Sequence, residues 1–201
     1  MKKIKPIVIM LTLAFILTAC GNAQNTENTT TTEPAKVITT AEVETKVDEY
    51  EEDKYIFEPA ELTCYMPEDF EETDYPGEYL HKKYPDDVSS INHVIVDSEG
   101  DATKMTKEEF ITDIEQEYYD GYGEKVEVNV TQYDKIMVDG RPGLWIMYNF
   151  DFRGEHFETL LVILYNGTES HSVTFLQGPG TDHMEEFIET ANTIGFSKIE
   201  E

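Results

Sequence analysis

Cysteine thiols are the groups through which this chain could most readily form a new covalent bond, and it has two, Cys20 and Cys64. Cys20 closes the run Leu17-Thr18-Ala19-Cys20, with Gly21 and Asn22 beyond it. Small Ala19 suits a cleavage just before the thiol, and the pattern as a whole reads as a bacterial lipobox. Lys2, Lys3 and Lys5 lead into an apolar stretch from Ile7 to Ala19. That stretch is far shorter than the ~20 apolar residues of a membrane-spanning helix, so it reads as the core of an export signal. Acyl chains on Cys20, two or more, would each contribute roughly 0.8 kcal/mol per buried methylene and anchor the mature chain stably. The expectation is a signal peptide over 1–19, lipid attachment at Cys20, and a chain held outside the cytoplasm on the membrane of a Gram-positive-type bacterium.

Cys64 then has no partner within the mature chain, so no disulfide framework is expected. It sits in the alternating run Leu62-Thr63-Cys64-Tyr65-Met66, without a histidine or cation beside it to lower its pKa. It reads as a small buried hydrophobe rather than a nucleophile.

The remaining reactive residues form no recognisable constellation. His81, His93, His156, His171 and His183 are scattered without the short spacings of metal ligands. Ser170-His171-Ser172 holds atoms for a nucleophile and a base, but neighbours on a strand point to opposite faces and cannot meet. Asp97, Glu99 and Asp101 offer oxygen ligands at offsets resembling a calcium loop, yet Gly100 stands at the fourth position rather than the sixth, where the turn needs it. A phosphate-binding loop, a Gly-x-Ser-x-Gly elbow and a His-Glu-x-x-His helix are all missing from the sequence. No catalytic residue, resident metal or cofactor is expected. Tyr119 and Tyr122, beside Gly121 and Gly123, and the Gly178-Pro179 turn are the better candidates for a recognition surface, since an aromatic body with a polar tip suits interfaces.

Charge narrows the partners. The formal net charge is -27. The leader carries three lysines and no acid, so its removal leaves 12 basic residues against 42 acidic ones, a charge of -30. Nucleic acid is excluded as a partner, because phosphate binding needs a basic patch. Anionic headgroups repel such a body within a Debye length of ~8 Å, so the anchor draws it to the surface while its charge holds it off.

Residues 20–52 hold the lipidated cysteine and a Thr/Glu-rich stretch that cannot bury enough apolar surface to offset the entropy of ordering. As a flexible tether it would reach roughly 30 Å. From 53 to 201 the pattern is that of one domain, large enough for a core of its own.

Within that domain, short strands are expected at 55–57 and 62–66, a weak one at 81–84 and a stronger one at 90–96. Thr106-Lys107-Glu108-Glu109 is a capping box that starts a helix near Lys107, with Phe110, Ile111, Ile114 and Tyr118 on its apolar face. Val126, Val128 and Val130 open a strand that turns back at Asp139-Gly140 into another over 144–152, with further turns at Arg153-Gly154 and Asn166-Gly167. The middle strands are apolar on both faces, which requires a cover on each side of the sheet. Two helices supply the covers. The second is expected to take Asp182 as its N-cap, present Met184, Phe187, Ile188, Ala191 and Ile194 inward, and stop at Gly195.

A short hairpin ending at Pro67 to Phe70, a Thr-x-x-Glu helix, the Val138-Asp139-Gly140-Arg141-Pro142 turn, an aromatic meander and a closing helix together resemble the PsbP-like superfamily. The resemblance spans nearly all of 55–197. It implies an α+β, three-layer α/β/α sandwich around an antiparallel meander sheet, and a binding or accessory module without a shared catalytic set. The expected function is accordingly a non-enzymatic envelope lipoprotein, with a neighbouring envelope protein, a peptide or a cationic ligand as partner. The competing readings are a carboxylate-dependent extracellular hydrolase and a small solute-capturing lipoprotein.

Overall fold

The computed structural model describes residues 60–97 and 101–198; the expected signal peptide, Cys20, the tether and the 55–57 strand lie outside the described residues. In chain order the elements are β1 (Ala60–Thr63), β2 (Phe70–Glu72), β3 (Glu78–His81), β4 (Ser90–Asp97), a single 3₁₀ turn (Ala102–Lys104), α1 (Lys107–Tyr122), β5 (Asn129–Val138), β6 (Arg141–Phe152), β7 (Glu155–Tyr165), β8 (Glu169–Gln177), α2 (Met184–Ala191) and β9 (Gly195–Lys198).

Seven strands form one antiparallel sheet in the order β2-β3-β4-β8-β7-β6-β5. The chain leaves the sheet after β4, crosses one face through α1, and re-enters at the far edge with β5. The meander then walks back inward until β8 closes against β4. Two of its turns are set by local chemistry. Asp139-Gly140 and Arg153-Gly154 have φ of 50° and 77° and of 54° and 83°, the paired positive values a two-residue hairpin needs to match strand twist.

Register decides which side chains share a layer. Leu144 opposes Ile163, Ile146 opposes Leu161 and Phe150 opposes Phe157 on one face. Against this face lies α1, whose Phe110 meets Tyr148 edge-on with ring centroids 5.2 Å apart, and whose Tyr118 meets Phe150 at 4.8 Å. The capping box is formed in full at Thr106 and Glu109, and Gly123, left-handed at φ 70°, ends the helix. On the other face Leu160, Val162, Leu164, Val173 and Phe175 form a core with Phe187, Ala191 and Ile194. Leu62 and Phe196 close its margin. The fold is α+β, with a helix on each side of the sheet, as the two-faced apolar strands require.

The structure corrects several sequence expectations. The strand expected at 62–66 is β1, Ala60–Thr63, and it pairs with β9 from the other end of the chain. Nothing local to either segment signals that ribbon. The strand expected at 81–84 is β3, which ends at His81. Val126 and Val128 are buried but precede β5. Gly195 does not stop α2; it opens β9, and the helix ends at Ala191. Asp182 is not its N-cap. His183 holds that position without a side-chain cap of its own, and the first amides are met from another element.

Candidate functional site

Two loops meet at one end of the sheet beneath α2, one joining β3 to β4 and the other joining β8 to α2. His81, the last residue of β3, Asp87 in the first loop, and His183 at the start of α2 converge there. His183 Nε2 lies 2.8 Å and His81 Nδ1 3.1 Å from the same carboxylate oxygen, Asp87 Oδ2. All three donor atoms fall within 4.8 Å of one another. His81 is buried, with 3 % of its side chain exposed, while Asp87 and His183 keep 11 % and 18 %. The group is enclosed but open to solvent on the His183 side.

The surroundings fix these side chains. Ser89 donates its backbone N–H to Asp87 Oδ1 at 2.9 Å, which leaves Oδ2 for the imidazoles. Phe70 sets ring edges against His81 at 5.3 Å and His183 at 5.7 Å, and Phe187 lies 5.8 Å from His183. Burial pushes the Asp87 carboxyl upward, but hydrogen bonds from Ser89 and His183 and the charge of His81 outweigh it and hold the group below its ordinary value. Asp87 is therefore ionised at neutral pH. One carboxylate and two imidazoles could hold a metal ion, and the same atoms could hold a positive charge through hydrogen bonds alone.

The loops are clamped to each other beside this group. Ser89 Oγ accepts the Gly178 N–H at 2.9 Å and meets Thr181 Oγ1 at 3.2 Å. Gly178 is buried against Val88 and Ser89, so its backbone serves packing. Pro179 is half-buried beside it.

Tyr119 and Tyr122 stand at the C-terminal end of α1. Tyr119 is 49 % exposed, whereas Tyr122 packs 5.8 Å from Tyr118 and 5.1 Å from Phe152. The four residues expected as a recognition surface thus come from two separate elements, and only Tyr119 offers a free aromatic face. Of the calcium candidates, Asp101 alone has a described side chain. Its Oδ1 accepts from the Thr103 N–H at 2.9 Å and caps the 3₁₀ turn; Glu99 and the Asp97 side chain lie outside the described residues.

A second histidine pair forms where β4 and β8 adjoin. His93 Nε2 and His171 Nδ1 are 3.2 Å apart and their rings are stacked 13° from parallel. Burial pushes both imidazoles below their ordinary value, His171 further under the Arg141 charge and against the opposing pull of Glu169. Cys64 is half-buried, with Sγ 3.7 Å from Thr190 O, and burial raises its thiol so that it stays protonated.

Sequence spacing hid the first group. His81 and Asp87 are six residues apart and His183 almost a hundred further on, with no regular interval between them. Only the β4–β8 pairing brings the two loops to one end of the sheet.

No protein-family profile and no curated protein matches the chain. Among solved structures it is similar to the cyanobacterial PsbP of Synechocystis, at 12% identity over 68% of this chain and 92% of that one, with a TM-score of 0.48. It is also similar to LpqN, involved in cell envelope biogenesis of Mycobacterium tuberculosis, at 11% identity over 70% of this chain and 85% of that one, TM-score 0.46. A protein of unknown function from Pseudomonas aeruginosa, a putative regulator, matches at 12% identity over 70% and 85%, TM-score 0.39. Each of these likenesses is partial and of low identity.

Proposed function

We propose that this chain is an extracytoplasmic, lipid-anchored binding or accessory module that presents its sandwich domain to a partner in the cell envelope and carries out no bond-breaking chemistry of its own. The observation that carries the reading is the self-sufficiency of residues 60–198. Both faces of the seven-stranded sheet are closed by elements within that segment, forty residues beyond Cys20. A domain that completes its own core, joined through a Thr- and Glu-rich stretch to an acylation motif, is built to be displayed. Among the described residues no helix is long and apolar enough to cross a membrane. In this reading the lipid on Cys20 makes the membrane attachment.

The test is fractionation of cells fed a labelled fatty acid. The wild-type chain is expected in the membrane fraction and labelled, and Cys20→Ser unlabelled and out of it. A labelled chain in the Cys20→Ser variant, or an unlabelled wild type in the cytosol with its leader intact, overturns the reading. Crosslinking on intact cells then identifies the neighbouring protein.

A further inference from the structure

We infer that His81, Asp87 and His183 form a binding site for one divalent first-row transition metal of the zinc class. The inference deepens the binding-module reading, and rests on it only for its physiological meaning; the site itself stands on geometry.

Metal bonds of about 2.0–2.2 Å in a tetrahedral arrangement place ligand atoms about 3.3 Å apart. His183 Nε2 and His81 Nδ1 are 2.8 and 3.1 Å from Asp87 Oδ2 and all three atoms lie within 4.8 Å of one another, so side-chain adjustments alone would seat the ion. The three residues come from β3, the following loop and the start of α2, and aim from different directions rather than lying along one strand.

The ion would take the place of hydrogen. His183 Nε2 and His81 Nδ1 lie 2.8 and 3.1 Å from the one oxygen, Asp87 Oδ2, and a metal there would displace the ring protons that reach it, since imidazole binds a metal through a deprotonated nitrogen.

The surroundings are those a metal site needs. The Ser89 N–H on Oδ1 orients the carboxylate, and Phe70 and Phe187 hold the ring planes, the kind of outer support that tunes affinity. Two imidazoles and one carboxylate suit zinc, cobalt, nickel or copper, whereas calcium and magnesium seek six or more oxygens. Three protein ligands leave one position open, and the exposed side of His183 is where water or a partner's side chain would enter. A bound ion would tie the β3–β4 loop to α2.

The experiment titrates the full chain, purified in detergent and stripped with chelator, with Zn2+ and separately with Co2+. One equivalent of Zn2+ should bind and raise the melting temperature, and Ca2+ should not compete. Co2+ should give visible d–d bands without a thiolate charge-transfer band. His183→Gln and Asp87→Asn should each weaken binding at least tenfold while keeping the far-ultraviolet circular dichroism of the wild type. His183→Cys should keep the ion and add a thiolate charge-transfer band, a result that a purely structural role for His183 would not give. Failure to bind Zn2+ or Co2+ at one equivalent, or binding that both the Gln and Asn variants retain, overturns the site. A metal-free chain that is still acylated and membrane-bound would leave the anchoring reading intact.

Discussion

Gln177 Oε1 accepts the backbone N–H groups of both His183 and Met184, at 2.8 and 2.7 Å, so the last residue of β8 caps the first turn of α2. A helix start leaves four amides without intrahelical partners, and here a strand side chain meets two of them in place of a local cap. The arrangement also fixes where His183 stands relative to Asp87. Gln177→Ala should lower folding stability by about 1–2 kcal/mol, the cost of a lost cap. Urea unfolding measures it, and an unmoved midpoint would show that water replaces the cap without cost.

Glycines at two places should respond in opposite directions to the same substitution. A Cβ at Gly178 would stand 2.8 Å from Val88 Cγ2 and 3.2 Å from Ser89 N, inside the clamp between the two loops. Gly178→Ala should therefore destabilise by about 1–3 kcal/mol, as overpacking does. At Gly121, in the last turn of α1, nothing lies within 4 Å of the added Cβ. Gly121→Ala should stabilise by about 0.5–1 kcal/mol through lower backbone entropy in the unfolded chain. Melting curves of the two variants decide both, and equal shifts would contradict the packing described.

Acid should weaken the fold through His93 and His171. Unfolded, each ring titrates near 6.5, while in the fold burial and, around His171, the Arg141 charge hold both lower, Glu169 opposing only in part. Between the folded and unfolded values the unfolded chain carries protons the folded one lacks, so stability falls as pH drops below 6.5 and levels off once the folded rings protonate. The slope is at most about 1.4 kcal/mol per pH unit for each ring. Urea unfolding at successive pH values should show it, with a shallower fall in His93→Gln. Stability that rises on acidification, or an unchanged slope in the variant, would refute the assignment.

The Tyr118 hydroxyl is buried under α1 without a hydrogen-bond partner among the described residues. Its ring, by contrast, packs against Phe150, Phe152 and Tyr122. Tyr118→Phe keeps the ring and removes a group that costs about 1–3 kcal/mol to bury unpaired, so stability should hold or rise. A loss of stability in this variant would reveal a partner for the oxygen.

What could be read along the chain was whatever depends on near neighbours. The Thr106-Glu109 box sets the start of α1 because both hydrogen bonds close within one turn. Asp139-Gly140 sets its hairpin because Asp and Gly both accept positive φ, and at the Arg153-Gly154 turn Gly154 supplies that freedom while Arg153 is drawn to φ 54°. Apolar residues on both sides of β6 and β7 call for two covers whatever the topology. The β1–β9 ribbon, the capping of α2 by Gln177 and the meeting of His81, Asp87 and His183 were not legible in this way. The ribbon and the histidine–aspartate group join residues far apart in the chain, and Gln177, only six and seven residues before the amides it caps, reaches them because the 178–182 turn folds back, so none of the three carries a periodic signal. Periodicity reports how a segment folds on itself; which segments become neighbours is decided by the packing of the whole domain.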